Sequence, residues 1–240
     1  MPRCMLICLL GIKGCALVDT TKDMQQDFAV VTSQPVSEDA SVVDIRTMTL
    51  SDAEFAGQLT VEAFRSKFVW ATSESKIPNV INGMVEEHKN SQNEYHRMFI
   101  ASYEGRRAGV LTLKYHNSRD PASTTNSFTG IGCCGTIRLA ALGIMTNETV
   151  PRGSCYVDHI CVSSEFRGKG IGKLLLEKAD NEALAHGCNK IYLFVASENR
   201  AKHLYERFGY HTTDSNDCDC GLAYCIAGKR SFNRMEKSLS

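Results

Sequence analysis

Three glycines at alternate positions mark the segment with the most legible chemistry, Arg167, Gly168, Lys169, Gly170, Ile171 and Gly172. The residues before it read as a strand and those after it as a helix. Without side chains at the glycines, backbone N–H groups can approach a ligand closely. The unpaired N–H groups and positive dipole end of the following helix favour a phosphate or diphosphate, with Arg167 or Lys169 adding charge at the rim. The same six residues also suit a strand-to-helix turn with no ligand. They do not fit a dinucleotide fingerprint, which follows the first strand of a repeated βαβ unit, because this turn comes late in the chain. A Walker loop fails as well, since Gly172 and Lys173 are not followed by Ser or Thr.

Cysteine chemistry is less well supported. Cys218 and Cys220, with Asp217, Asp219 and Cys225 nearby, invite a metal reading. Their one-residue spacing differs from a zinc knuckle, and no histidine nearby completes a set. The expectation is no metal, and a solvent-facing loop over residues 215–230 that serves a substrate or a homodimer contact. Cys133 and Cys134 receive no catalytic role.

The elements that must position the glycine loop follow from periodicity. Residues 42–48 read as a first strand, and Ser51 with Glu54 as a capping box for a helix through Phe64. A second helix is expected over 80–89, after Pro78. Residues 95–103 and 107–115 form a hairpin across a turn at Glu104, Gly105 and Arg106. Polar residues make 116–130 a surface loop. Ile137, Ala140, Ala141 and Ile144 recur at helical spacing. A strand is expected over 154–162, and then a helix over 170–186, with Ile171, Leu174, Leu175 and Ala179 on its packed face and Gly187 closing it. Residues 190–195 are apolar on both faces, as an internal strand requires. Asn199 can cap a last helix that reaches Phe208 and stops at Gly209. Residues 210–213 and 231–237 read as closing strands.

From the glycine loop onward the chain resembles the GNAT superfamily of Gcn5-related N-acetyltransferases. The hallmark Arg or Gln, two residues, Gly, one residue, Gly or Ala is matched by Arg167, Gly170 and Gly172. Asn199, Ala201, Leu204, Tyr205, Phe208, Gly209 and Tyr210 resemble the family's second signature, and Phe232 to Lys237 its last strand. The resemblance implies an α/β domain over 42–240 with a mixed, largely antiparallel central sheet flanked by helices and splayed at a coenzyme A site. It implies acetyl-CoA as acyl donor and direct transfer of acetyl to a primary amine. Backbone groups of Ile160 and Val162 are then expected to meet pantetheine and the acetyl carbonyl, and Asn199 to hydrogen-bond pantetheine besides capping its helix.

An alkylammonium has a pKa near 10.4, so transfer needs a base or a water chain. Asp158 is the first candidate because it lies on the ligand-binding strand. If that strand is regular, Tyr156, Asp158, Ile160 and Val162 share one face, and a bulge would change the parity. Asp158 equally suits an ion pair with a Lys or Arg. Glu198 is a second candidate that also suits a first-turn helix acid. His159 reads as a hydrogen-bonded core histidine. Tyr205 falls on an Ala201, Leu204, Phe208 stripe that burial alone explains; the family likeness makes it the acid that protonates the leaving thiolate. An acyl-CoA-binding module that has lost transfer is the alternative.

Composition narrows the partners. With 27 basic and 27 acidic residues the chain lacks the positive surplus typical of nucleic-acid binders. Apolar residues make up 43%, enough for a core. Eleven scattered cysteines read as reduced thiols in a cytoplasmic or nuclear protein. Arg3 and the apolar runs at 4–10 and 15–18 faintly resemble a signal peptide, but Lys13 interrupts them and they are short of the roughly 20 residues that span a bilayer. Residues 1–41 are expected to be a disordered or loosely packed extension, and no membrane partner is expected. Secretory entry is the alternative that residues 1–18 carry. The acceptor is left open among small amines, amino-sugars and protein lysines or N-termini.

Overall fold

Seven segments with strand-like patterning pair into one sheet, and helices cover both of its faces. The structure, a computed structural model, describes residues 42–116, 118, 127–146, 148–217 and 231–239. All belong to the compact unit Asp39–Ser240. The expectations for residues 1–41, for Cys218, Asp219, Cys220 and Cys225, and for most of the 116–130 loop lie outside the described residues. The strands are β1 (Val43–Thr47), β2 (Met98–Tyr103), β3 (Arg106–Lys114), β4 (Ser154–Val162), β5 (Lys190–Ala196), β6 (His211–Asp217) and β7 (Ser231–Ser238). Their order is β1-β2-β3-β4-β5-β7-β6. Every neighbouring pair is antiparallel except β4 with β5.

The helices are α1 (Ala53–Ala63), α2 (Arg65–Ala71), α3 (Ile77–Asn90), α4 (Cys133–Thr146), α5 (Ile171–Ala185) and α6 (Ala201–Arg207). On one face of the sheet Ile171, Leu175, Leu176, Ala179 and Ala183 of α5 pack against Phe99, Leu111, Leu113, Cys155 and Val157. On the other face Ala53, Ala56 and Leu59 of α1 meet Ile100, Val110 and Cys161. Each fully buried Leu or Ile contributes about 1.5–3 kcal/mol. The two faces together therefore hold the sheet rigid where the glycine loop is attached.

Local expectations fail where a tertiary contact decides. The hairpin turn has two residues rather than three, because Glu104 and Gly105 both adopt positive φ and Tyr103 pairs directly with Arg106. Pro78 lies inside the first turn of α3 rather than ahead of it. In α4 the expected stripe is not the packed one: Leu142 is buried whereas Ile137 is exposed, and the side chain of Ile144 lies outside the described residues. Helix α2 stands where no element was expected. A capping box does precede α1, but it is made by Thr49 and Asp52 rather than Ser51 and Glu54. Asp52 wins because its carboxylate has more to hold than a helix end. It accepts the Thr49 N–H (2.9 Å) and hydroxyl (2.7 Å), Arg46 Nη1 and Nη2 (2.7 and 2.9 Å) and Arg107 Nε (2.7 Å).

Asp52 thus ties β1, β3 and the start of α1 together, with its side chain fully buried. Burial alone would raise its pKa, but the Arg46, Thr49 and Arg107 hydrogen bonds more than offset this and hold it well below the ordinary carboxylate range. Its stabilising effect is therefore complete above the unfolded pKa of about 3.9 and fades as pH falls through the lower folded value. Asp52→Asn is expected to cost about 1.5–3 kcal/mol at pH 7, the range for charge-assisted hydrogen bonds, since both arginines are half-exposed. Urea unfolding at pH 7 and pH 3 checks this, with the gap between variant and wild type narrowing at the lower pH.

Candidate active site

A nine-residue strand paired to its neighbour by three residues is the feature on which the site is built. Ser154, Cys155 and Tyr156 of β4 pair with Lys190, Ile191 and Tyr192 of β5, and there the pairing stops. Beyond that point β4 stays with β3 as far as Val162, while β5 stays with β7 as far as Ala196. The two strands part because each keeps its outer partner. Along the opening, the N–H of Ser163 donates to the carbonyl of Ala108 on β3 at 2.9 Å. In an antiparallel ladder peptide groups alternate between edges. Cys161 therefore also addresses β3, and Ile160 and Val162 turn their N–H and C=O toward the opening. Such groups need partners, and an extended chain bearing amides can supply them.

The glycine loop lies directly after this edge. Phe166, buried under Tyr103 and Arg106, anchors the short 3-10 turn Ser164–Phe166. Gly168 and Gly170 then take φ of 79° and 77°, in the left-handed region where a side chain is strained. Helix α5 starts at once. The N–H groups of Lys173 and Leu174 bond to the Gly170 carbonyl, and those of residues 168–172 have no hydrogen-bond partner among the described residues. These five N–H groups, with exposed Arg167 and with Lys169, whose Nζ lies 4.4 Å from the Tyr103 ring centre, suit a diphosphate. A Cβ on Gly172 would lie 3.2 Å from Leu204 Cδ2, so the start of α5 packs closely on α6.

Strand β4 is not regular. Thr112 pairs with His159 and Leu113 with Val157, which leaves Asp158 as the extra residue of a bulge. The expected face shared by Tyr156, Asp158, Ile160 and Val162 is therefore broken. Val157, Ile160 and Val162 pack on the α5 side. Tyr156 packs with Val150 and Tyr192, and Cys161 with the α1 cluster.

Asp158 and His159, expected on opposite sides, are in contact. Asp158 Oδ2 lies 3.1 Å from His159 Nδ1, and Oδ1 2.9 Å from Lys114 Nζ. His159 Nε2 lies 3.1 Å from Thr112 Oγ1, and the ring meets Phe64 edge-on. Burial alone would raise the Asp158 pKa. The His159 hydrogen bond and the Lys114 charge outweigh it and keep the carboxylate ionised well below its ordinary range.

The N-cap of α6 is Arg200 rather than Asn199, and Asn199 Oδ1 instead accepts the Ala201 N–H at 2.9 Å in a turn just ahead of the helix. Tyr205 belongs to the α5-side core with Ala201, Leu204 and Phe208 around it, and is 8% exposed. Burial, with a smaller contribution from Cys161, pushes its phenol up to about 12. Glu198 is exposed in the turn after β5. Cys155, Cys161 and Cys188 are buried free thiols, and Cys133 and Cys134 are exposed. Among the described residues no group of three or more His, Cys, Asp and Glu could hold a metal ion. No helix of theirs is long and apolar enough to cross a membrane.

Sequence reasoning missed Lys114 and Thr112, the partners that β3 presents to the bulge. Their two-residue spacing puts them on one face, but only the β3–β4 register shows which face. It also missed Lys67 of α2, whose Nζ stands 4.8 Å from the Phe64 ring centre and 5.5 Å from that of Phe232.

Comparison with known proteins gives one consistent answer. The family model of the GNAT acetyltransferases matches residues 62–210, more than half of the chain. An acetyltransferase of Pectobacterium atrosepticum is 39% identical over 64 residues, which cover 26% of this chain and 44% of that protein. The matched stretch thus spans less than half of that relative's length. Among solved structures, an N-acetyltransferase from Staphylococcus aureus Mu50 superposes with a TM-score of 0.55 at 18% identity, over 83% of this chain and 100% of the other. An N-acetyltransferase from Thermoplasma acidophilum in complex with coenzyme A gives 0.51 at 18% identity, over 82% and 98%. At such identities the structural likeness speaks for the fold. The family match takes in the parted strands, the glycine loop and α6, and the chain belongs to the GNAT acetyltransferase family.

Proposed function

We propose that this protein is an acetyl-CoA-dependent N-acetyltransferase that moves acetyl directly to a primary amine. One observation carries the reading. The open edge of β4 at Ile160 and Val162 leads straight into the N–H groups of residues 168–172, which have no partner among the described residues. An acyl donor with an amide-bearing arm and a diphosphate matches that sequence of backbone donors and acceptors. Residues 168–172 would hold the diphosphate, with Arg167 and Lys169 at its rim. The peptide groups of Ile160 and Val162 would hold the pantetheine arm. Asn199, whose Oδ1 accepts the Ala201 N–H, would offer its side-chain N–H group to the same arm.

The chemistry asked of the chain is modest. An N–H on the β4 edge polarises the thioester carbonyl and stabilises negative charge on its oxygen during attack. Ionised Asp158, held between Lys114 and His159, belongs to the proton-accepting side of the site. Tyr205 lies on the opposite face of the sheet. Burial keeps its phenol protonated across the neutral range and also makes it a weaker acid, so its proton passes only as the sulfur gains full charge. The chain domain over 42–240 suffices for this reading, and residues 1–41 are proposed to lie outside it. A cytoplasmic setting accords with free thiols at all five cysteines among the described residues.

The test is release of coenzyme A from acetyl-CoA with four amines in turn: putrescine, 2-phenylethylamine, glucosamine and a lysine-containing peptide. Amine-dependent release is expected with at least one. Acetyl-CoA binding without release from any of them would favour a silent acyl-CoA-binding module. Tyr205→Phe keeps the ring in its packed stripe and removes only the hydroxyl. Under single-turnover conditions it is expected to slow transfer about 10²-fold or more, with acetyl-CoA affinity by calorimetry and melting temperature little changed. Wild-type turnover in the folded variant would leave Tyr205 with a packing role alone.

A further inference from the structure

We propose that His159, oriented by Asp158, is the catalytic proton acceptor for the incoming amine, with Asp158 a positioning residue; this rests on the acetyltransferase reading above. A base at this site must offer a lone pair. Asp158 is poorly suited to take the proton itself, because one oxygen is held by Lys114 at 2.9 Å and the other by His159 at 3.1 Å. An anion so paired binds a proton weakly. The same pairing makes its neighbour suitable. An ionised carboxylate can only accept, so His159 carries its proton on Nδ1 and keeps the lone pair on Nε2. The Thr112 hydroxyl, 3.1 Å from that nitrogen, donates to the lone pair in the resting site, turns away when the amine's proton arrives and then accepts from the imidazolium N–H. When the imidazole becomes cationic, Asp158 already stands against it to stabilise the charge.

The bulge is what brings these groups together. With the extra residue at 158, Asp158 and His159 address the Lys114 and Thr112 side of the sheet, while Ile160 and Val162 pack their side chains on the α5 side. The groups facing the imidazole are Asp158 on its own strand, Thr112 and Lys114 on β3, Phe64 at the end of α1, and His88 on α3 within electrostatic reach. Burial lowers His88 to about 4, so it stays neutral and adds no competing charge. Burial likewise raises the Cys161 thiol to about 12 and keeps it neutral. Lys114 is already committed to Asp158. That leaves His159, whose Nε2 is held among the described residues only by the Thr112 hydroxyl, as the group among these with a lone pair to offer.

The step balances without a further reagent. The amine nitrogen forms its bond to the thioester carbonyl carbon, and its proton passes to His159 Nε2. The carbon–sulfur bond then breaks, and the thiolate leaves with the Tyr205 proton. The imidazolium returns its proton to water, and water reprotonates the Tyr205 phenolate, so the enzyme ends as it began.

Three variants test this, each assayed with the four amines named above. His159→Gln keeps a side-chain hydrogen-bonding group but cannot accept a proton. It is expected to lose about 10²-fold or more in kcat at pH 7, with acetyl-CoA affinity unchanged, and to recover toward high pH, where the amine is already neutral. Thr112→Val removes the hydrogen bond to the same nitrogen but not the base, and is expected to keep kcat within a few-fold of wild type, on the order of the loss of one neutral hydrogen bond. Asp158→Asn should fall between the two. A purely structural His159 predicts equal losses in His159→Gln and Thr112→Val with no recovery at high pH, and that result overturns the proposal. Wild-type turnover in folded His159→Gln overturns it alone. Absence of transfer by the wild type to all four amines overturns it together with the acetyltransferase reading.

Discussion

The parting of β4 from β5 after Tyr156 is the constraint from which the rest of the site follows. It is not a frayed end, since β3 holds β4 and β7 holds β5 along the whole opening. Both inner edges are thereby left with polar groups that the sheet itself cannot satisfy. A buried donor or acceptor without a partner costs about 1–3 kcal/mol, so a ligand that pairs with Ile160 and Val162 gains more than the same contacts would give on an exposed surface. Helix α5 begins at the wide end of the gap and offers the second set of donors. Its apolar stripe, pressed on Leu111, Leu113 and Val157, keeps those donors in register with the strand edge.

One inserted residue then decides which chemistry the opening can reach. Because Asp158 is extra, β4 changes parity just where it leaves β5, and the two sides of the gap acquire different characters. The α1 side receives a held carboxylate, a lysine and an imidazole. The α5 side has a buried phenol that stays protonated. A carboxylate that holds its charge beside an imidazole and a phenol that keeps its proton set the proton-accepting side of the opening apart from the proton-donating side. Asp52 plays the corresponding structural part at the far side of α1, fixing the helix to β1 and β3 through two arginines.

What could be read from the sequence was what local pattern determines. The β4 strand, the glycine loop and α5 emerged together because a strand, a run of alternate glycines and a 3.6-residue apolar stripe are each short-range signals. The mixed sheet flanked by helices followed from element order and family likeness. The bulge could not be seen in β4 alone, since parity is set by register against β3. Thr49 with Asp52 and Ser51 with Glu54 are equally good capping boxes as text; Arg107, far along the chain, chooses between them. In α4 the residues are apolar nearly all round, so spacing named a helix without naming its buried face. Helix α2 is seven residues long and too short for its period to stand out. Asp158 stood out in the sequence only as a carboxylate on the strand, and its tie to Lys114 was one of the two readings left open.

The central claim is that alternate peptide groups of β4 face a ligand, and amide hydrogen exchange tests it most directly. With acetyl-CoA bound, the N–H groups of Ile160 and Val162 and those of residues 168–172 should exchange more slowly than in the free protein, by about tenfold or more for each hydrogen bond gained. Cys161, already bonded to β3, should change little. Uniform slowing along β4, or none at Ile160 and Val162 in a protein that binds acetyl-CoA, would contradict the account.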